Sequence, residues 1–105
     1  MRPTIDQQVT FLYTHDLPAT ADFYRTILQL PLVLDQGGCQ IFRTSGSSFL
    51  GICQADRPID PAGIIVTLVS GEVDAWYDYL LDRNITPEKP PTYNPQYNIY
   101  HLFLR

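Results

Sequence analysis

Residues 9–35 read VTFLYTHDLPATADFYRTILQLPLVLD, and this stretch decides the fold. Val9 to Thr14 is β-branched and aromatic, the composition of a strand. Asp16 can accept from the free N–H groups of a helix start, and Pro18 suits a first turn, where its missing donor costs nothing. Between Pro18 and Leu28, Phe23 pairs with Ile27 and Tyr24 with Leu28 at i,i+4. That spacing makes one apolar stripe and predicts a short amphipathic helix. Pro31 ends it, and Leu32-Val33-Leu34 begins an extended segment.

Outward from this stretch the pattern continues. Gly37-Gly38 marks a turn, not a phosphate loop, because no helix follows it. Cys39 to Arg43 reads as a strand, Ser45 to Ser47 as a loop, and Ser48 to Cys53 as the last strand of the half. The tight connections imply antiparallel pairing. Residues 54–63 (QADRPIDPAG) form a polar, proline-containing linker. Ile64 to Val69 (IIVTLV) then reads as a strong strand, and Ser70 or Gly71 as a helix cap. Val73, Trp76, Tyr77, Leu80 and Leu81 make one helical face. Asn84 suits the left-handed residue past a helix end. Ile85 is a candidate short strand, Pro87 to Asn98 a long loop, and Asn98 to Leu104 a last strand. The element order repeats. The expected fold class is α+β, with two strand–helix–strand (βαβββ-like) modules forming a curved, mostly antiparallel sheet around a cavity. Module one covers about 7–54, the linker 55–63, and module two 64–105, which lacks its last strand.

Bulk properties narrow the function. A chain of 105 residues that is 45% hydrophobic makes one globular domain. Its net charge is −4 and its seven Lys and Arg residues form no run. A phosphate-tracking surface needs clustered cations, so neither a nucleic-acid nor a membrane partner is expected. The start MRPTID has no apolar leader core, and no apolar run is long enough to span a bilayer; a cytoplasmic location is the default expectation. Cys39 and Cys53 lie in no CxxC pair, and the reading favours two free buried thiols over a disulfide.

Asp16-Leu17, Phe23-Tyr24 and Leu28-x-Leu30, in this order and spacing, resemble the first module of the vicinal-oxygen-chelate superfamily, the glyoxalase / bleomycin-resistance / dioxygenase group. Ile64 to Leu81 is similar to the start of its second module. The resemblance implies that Phe23 packs under the sheet and Tyr24 lies at its flank. Two departures stand out. Gln29 replaces the glycine usual between the two leucines, and Arg105 comes before the Asp-Pro-x-Gly turn and final strand that relatives carry.

In metal-dependent relatives a ligand comes from the first strand of each module, positions that fall here on Val9 and near Ile64. Neither side chain has a lone pair. A third falls near Leu50 to Cys53, where Cys53 or Gln54 could donate without partners, and the fourth, a Glu on the final strand, is not in this sequence. No metal site and no cofactor are therefore expected. By the same alignment Val9, Phe11, Tyr13, Ile64, Val66 and Leu68 face inward, either lining an apolar cavity with one phenol or filling a plain core. His15 reads as an exposed turn histidine. His101 is the best polar candidate for a ligand contact, and Tyr93 and Tyr97 could stack on a planar ligand from the late loop. Three functions are carried forward. The first is a metal-free protein binding a small, partly hydrophobic molecule. The second is an enzyme using acid–base residues, or a metal site completed by residues outside this chain. The third is a structural or partner-binding subunit. A homodimer is expected, from the family and from the unpaired edge.

Overall fold

Parallel strands cannot be joined by a hairpin; they need a crossover. The computed structural model, which describes residues 1–60 and 62–104, shows how this chain builds one. It forms two compact units, Met1–Val66 and Thr67 onward. The first unit runs β1 (Gln8–Thr14), α1 (Leu17–Asp22), a π-helical turn (Phe23–Ile27), β2 (Leu32–Asp35), β3 (Cys39–Ser45) and β4 (Ser48–Gln54). The four strands form one open sheet in the order β1-β4-β3-β2. β1 lies parallel to β4, while β2, β3 and β4 are antiparallel neighbours. Strand–helix–three strands is the module expected from the sequence.

Alternation sorts the side chains between the two faces of this sheet. Leu12 of β1, Ile52 of β4 and Phe42 of β3 point to the face that α1 covers, where they meet Leu17, Ala21, Tyr24 and Leu30. Phe42 is fully buried, which is worth about 1.5–3 kcal/mol relative to exposure. The helix is pinned at its start. Asp16 Oδ1 accepts from Ala19 N at 3.1 Å, as its sequence position suggests. Gln54 Oε1 accepts from Leu17 N at 2.9 Å, and the hydroxyls of Thr14 and Thr20 are 2.7 Å apart.

Two expectations about this helix change. Tyr24, not Phe23, packs on the core, with its ring centroid 6.2 Å from that of Phe42. Phe23 meets Tyr24 edge-on from outside. The π-helical turn winds wider than an α-helix, so the facing residue shifts by one. Gln29 adopts φ +55°, the left-handed conformation that a glycine would take without strain. Leu30 N then reaches back to Tyr24 O at 3.0 Å and closes the helix end.

The two cysteines form a disulfide, against the expectation of free thiols. The β3–β4 register sets Cys39 directly opposite Cys53, a juxtaposition that spacing along the chain does not reveal.

The second unit holds α2 (Val73–Asp82) and a hairpin of β5 (Thr92–Asn94) and β6 (Ile99–His101). Leu80 is its buried anchor. Asn84 takes φ +61°, and Ile85 N bonds Leu80 O at 2.9 Å. The helix therefore ends as the sequence suggests, while Ile85 serves that closure instead of starting a strand. The expected long loop 87–98 contains β5. Asn94 Oδ1 accepts from Gln96 N and Asn98 turns left-handed at φ +54°, which folds the segment back on itself. The expected last strand is shorter, covering Ile99–His101 only.

Ile64–Val69, expected as a strand, joins no ladder and is exposed throughout. In the first module the opening strand pairs only with the fourth strand. No strand in the equivalent position exists among the described residues, so this apolar stretch has no neighbour to bond.

Two stability outcomes follow from these contacts. Gln29→Gly relieves the left-handed strain and should raise the urea midpoint by the equivalent of about 0.5–1 kcal/mol; an unchanged or lower midpoint would contradict it. Thiol titration of the unreduced, unfolded protein should find no free cysteine, and reduction should cost about 2–3 kcal/mol of stability.

Candidate ligand-binding site on an open sheet face

The sheet face opposite α1 is chemically different. By register Val9, Phe11 and Tyr13 of β1 share it with Phe49, Gly51 and Cys53 of β4 and with Cys39, Ile41 and Arg43 of β3. It is floored but not roofed. Phe49 and Cys53 are buried, whereas Phe11 is 49% and Tyr13 54% exposed.

Gly51 decides how Phe11 lies. A Cβ at Gly51 would sit 2.5 Å from two carbons of the Phe11 ring, well inside van der Waals contact. Only hydrogen on Gly51 lets the ring rest against the strand, which is the close approach a strand-interior glycine signals. One register step along, the Arg43 guanidinium lies over the Phe49 ring, 5.6 Å from its centroid, a cation–π contact. At the other end the Cys39–Cys53 disulfide stands in the row of Tyr13. The whole is an apolar, aromatic floor with a phenol at one end and a guanidinium at the other.

Of the sequence candidates, Val9, Phe11 and Tyr13 stand together here. Ile64, Val66 and Leu68 are 57%, 39% and 50% exposed in the unpaired stretch and contribute to no described floor. Tyr93, Tyr97 and His101 share the hairpin of the second unit. Tyr93 donates to Asn98 Oδ1 at 2.6 Å, and Tyr97 is 66% exposed. His101 stacks edge-on with Phe103 at 5.0 Å, and its buried Nδ1 has no hydrogen-bond partner among the described residues. His15 is exposed, and its Nε2 lies 2.8 Å from Arg57 O, tying the turn to the linker. Phe49, Gly51, Ile41 and Arg43 were not singled out from sequence. A glycine between Leu50 and Ile52 inside an apolar strand was the available signal.

Two phenols titrate above the ordinary tyrosine range. Burial in the core raises Tyr24. Tyr100 is raised first by the hydrogen bond it donates to Asp74. Tyr100 and Asp74 border a shallow depression with Ser70 and Glu72 at the start of α2, whose two carboxylates make it a poor place for an anion.

The divalent cation used by catalytic proteins of this fold finds no fit. Val9 and Ile64 offer hydrocarbon, and Cys53, the one soft donor considered, is consumed by the disulfide. Among the described residues no three His, Cys, Asp or Glu side chains are placed to hold a metal ion.

No protein-family model matches the chain, and no curated protein matches it in sequence. Solved structures do. A glyoxalase/bleomycin resistance protein/dioxygenase from Nocardioides superposes with a TM-score of 0.76 at 28% identity, over 100% of this chain and 77% of that one. A lactoylglutathione lyase from Agrobacterium tumefaciens gives 0.70 at 26%, over 99% and 86%. TioX from Micromonospora sp. ML1 gives 0.70 at 15%, over 94% and 88%, a likeness of fold alone. With its strand–helix–three-strand module and these neighbours, the chain has the fold of the vicinal-oxygen-chelate superfamily, the glyoxalase / bleomycin-resistance / dioxygenase group.

Proposed function

We propose that this protein is a metal-free binder of a small, partly hydrophobic molecule, held on the open face of its first sheet. One observation carries the reading: Phe11 lies against Gly51 as a half-exposed aromatic surface on a buried floor. A lining of apolar and aromatic side chains with a few placed polar groups is the usual chemistry of a small-molecule site. The name of the Nocardioides neighbour joins bleomycin resistance with glyoxalase and dioxygenase, so it is compatible with binding as well as with turnover.

Self-association belongs to the same proposal, supported by the exposed apolar stretch Ile64–Val69, whose backbone joins no ladder. No described helix is long and apolar enough to cross a membrane. A cytoplasmic location is likewise part of the proposal, and it would place the cysteine pair in a reducing compartment, where disulfides are uncommon.

A second reading, acid–base catalysis through His101, is favoured by its buried Nδ1, which has no partner among the described residues. A buried polar atom without a partner costs about 1–3 kcal/mol, and such a cost is sometimes carried at a reactive site. His101→Ala would abolish turnover in that case and leave binding on the first sheet intact.

Thermal shift with naphthalene-2-methanol, a neutral planar probe, checks the main reading. The melting temperature should rise with ligand concentration. Phe11→Ala should weaken binding about tenfold, the order of one lost aromatic contact. Gly51→Ala, which keeps the ring but lifts it, should weaken binding as well. The absence of any shift would refute the reading. A panel of Zn²⁺, Ni²⁺, Mn²⁺ and Mg²⁺ should leave the melting temperature unchanged, and specific stabilisation by any of them would contradict the metal-free part.

A further inference from the structure

We propose that Arg43 makes this face selective for flat apolar molecules that carry a carboxylate or similar anionic group. The inference rests on the binding site proposed above and names its ligand class. Arg43 is exposed on β3, in the row of Phe49, and alternation puts it on the same face as Ile41 and Phe11. It is the only charged residue among the strand positions of that face. Its guanidinium contacts the Phe49 ring and forms no ion pair among the described residues.

The geometry suits one ligand shape. Phe11 and Arg43 sit two strands apart and one side-chain row along the sheet from each other, a Cα diagonal of about 12 Å, and the guanidinium leans back over Phe49 toward the middle strand. A bicyclic aromatic acid spans that distance. Its rings would cover Phe11 and Ile41 while its carboxylate reaches the guanidinium. The guanidinium is planar and presents paired donors that match a carboxylate in a bidentate fork. Phe49 holds the side chain over the floor before a ligand arrives, which reduces the ordering lost on binding. The opposite end of the face offers only the phenol of Tyr13, so charge complementarity fixes the ligand's direction as well as its class. In a protein of net charge −4, an unpaired arginine on an apolar floor is a local reversal of the surface field.

Calorimetric titration with 2-naphthoate, naphthalene-2-methanol and 2-naphthylmethylammonium tests this. The unmodified protein should bind the carboxylate about tenfold more tightly than the alcohol, the factor expected of one charge-assisted hydrogen bond. The ammonium should bind weakest. Arg43→Ala should remove the preference by weakening the carboxylate about tenfold more than the alcohol, and Arg43→Lys should retain part of it. Added salt should narrow the gap. Equal affinity for the three probes would overturn the inference while leaving the binding site in place. Failure of all three to bind would overturn both. Sedimentation showing that Arg43→Ala or Phe11→Ala dissociates a dimer would assign the face to a second copy of the chain and overturn the inference too.

Discussion

Parallel pairing of β1 with β4 is the constraint on which the first unit depends. It forces the chain between them to leave the sheet and return, and α1, the π-helical turn, β2 and β3 are that return. Because α1 lies on one side only, the sheet acquires one covered face and one open one. β4, second in the sheet, needs hydrocarbon on both sides, which accounts for the unbroken run Phe49-Leu50-Gly51-Ile52-Cys53. The ligand-binding proposal concerns the face that the helix leaves alone.

That face is stabilised in ways that are not themselves selective for a ligand. The disulfide ties β3 to β4 at one end, and the Arg43–Phe49 contact caps the other. Between them Gly51 gives up a side chain so that Phe11 can lie low. The result is an apolar face. Val9 and Ile64 carry no donor atom, and the Cys53 sulfur is taken up by the disulfide. The proposed binding on this face would rest on dispersion and desolvation, with one guanidinium to give them a direction.

Much of this was legible in the sequence because it is local. The strand at Val9, the Asp16 cap, the left-handed position at Asn84 and the α2 face all depend on neighbours within a few residues. Register is not local. The pairing of Cys39 with Cys53, and the meeting of Phe11 with Gly51 across 40 positions of chain, are set by how strands slide against each other. Alternation narrows such contacts but does not select them. Ile64–Val69 failed as a strand for the opposite reason. Its local propensity is high, yet a strand exists only with a partner. The late Pro- and Tyr-rich segment reads as irregular because its turn is made by Asn side chains and a left-handed Asn98, where Gly would announce the turn more plainly.

Gln54 carries a consequence for the order in which the unit assembles. Its amide N bonds Gly38 O at the β3 end, and its side chain bonds Leu17 N at the helix start. The β3–β4 hairpin is sequence-local and can form within microseconds, whereas joining residue 17 to residue 54 closes a long loop. The helix start therefore gains its anchor only after the hairpin exists to present it. Kinetic traps in this unit would be states with an intact hairpin and an unlatched β1–α1 arm, the arm that carries Phe11.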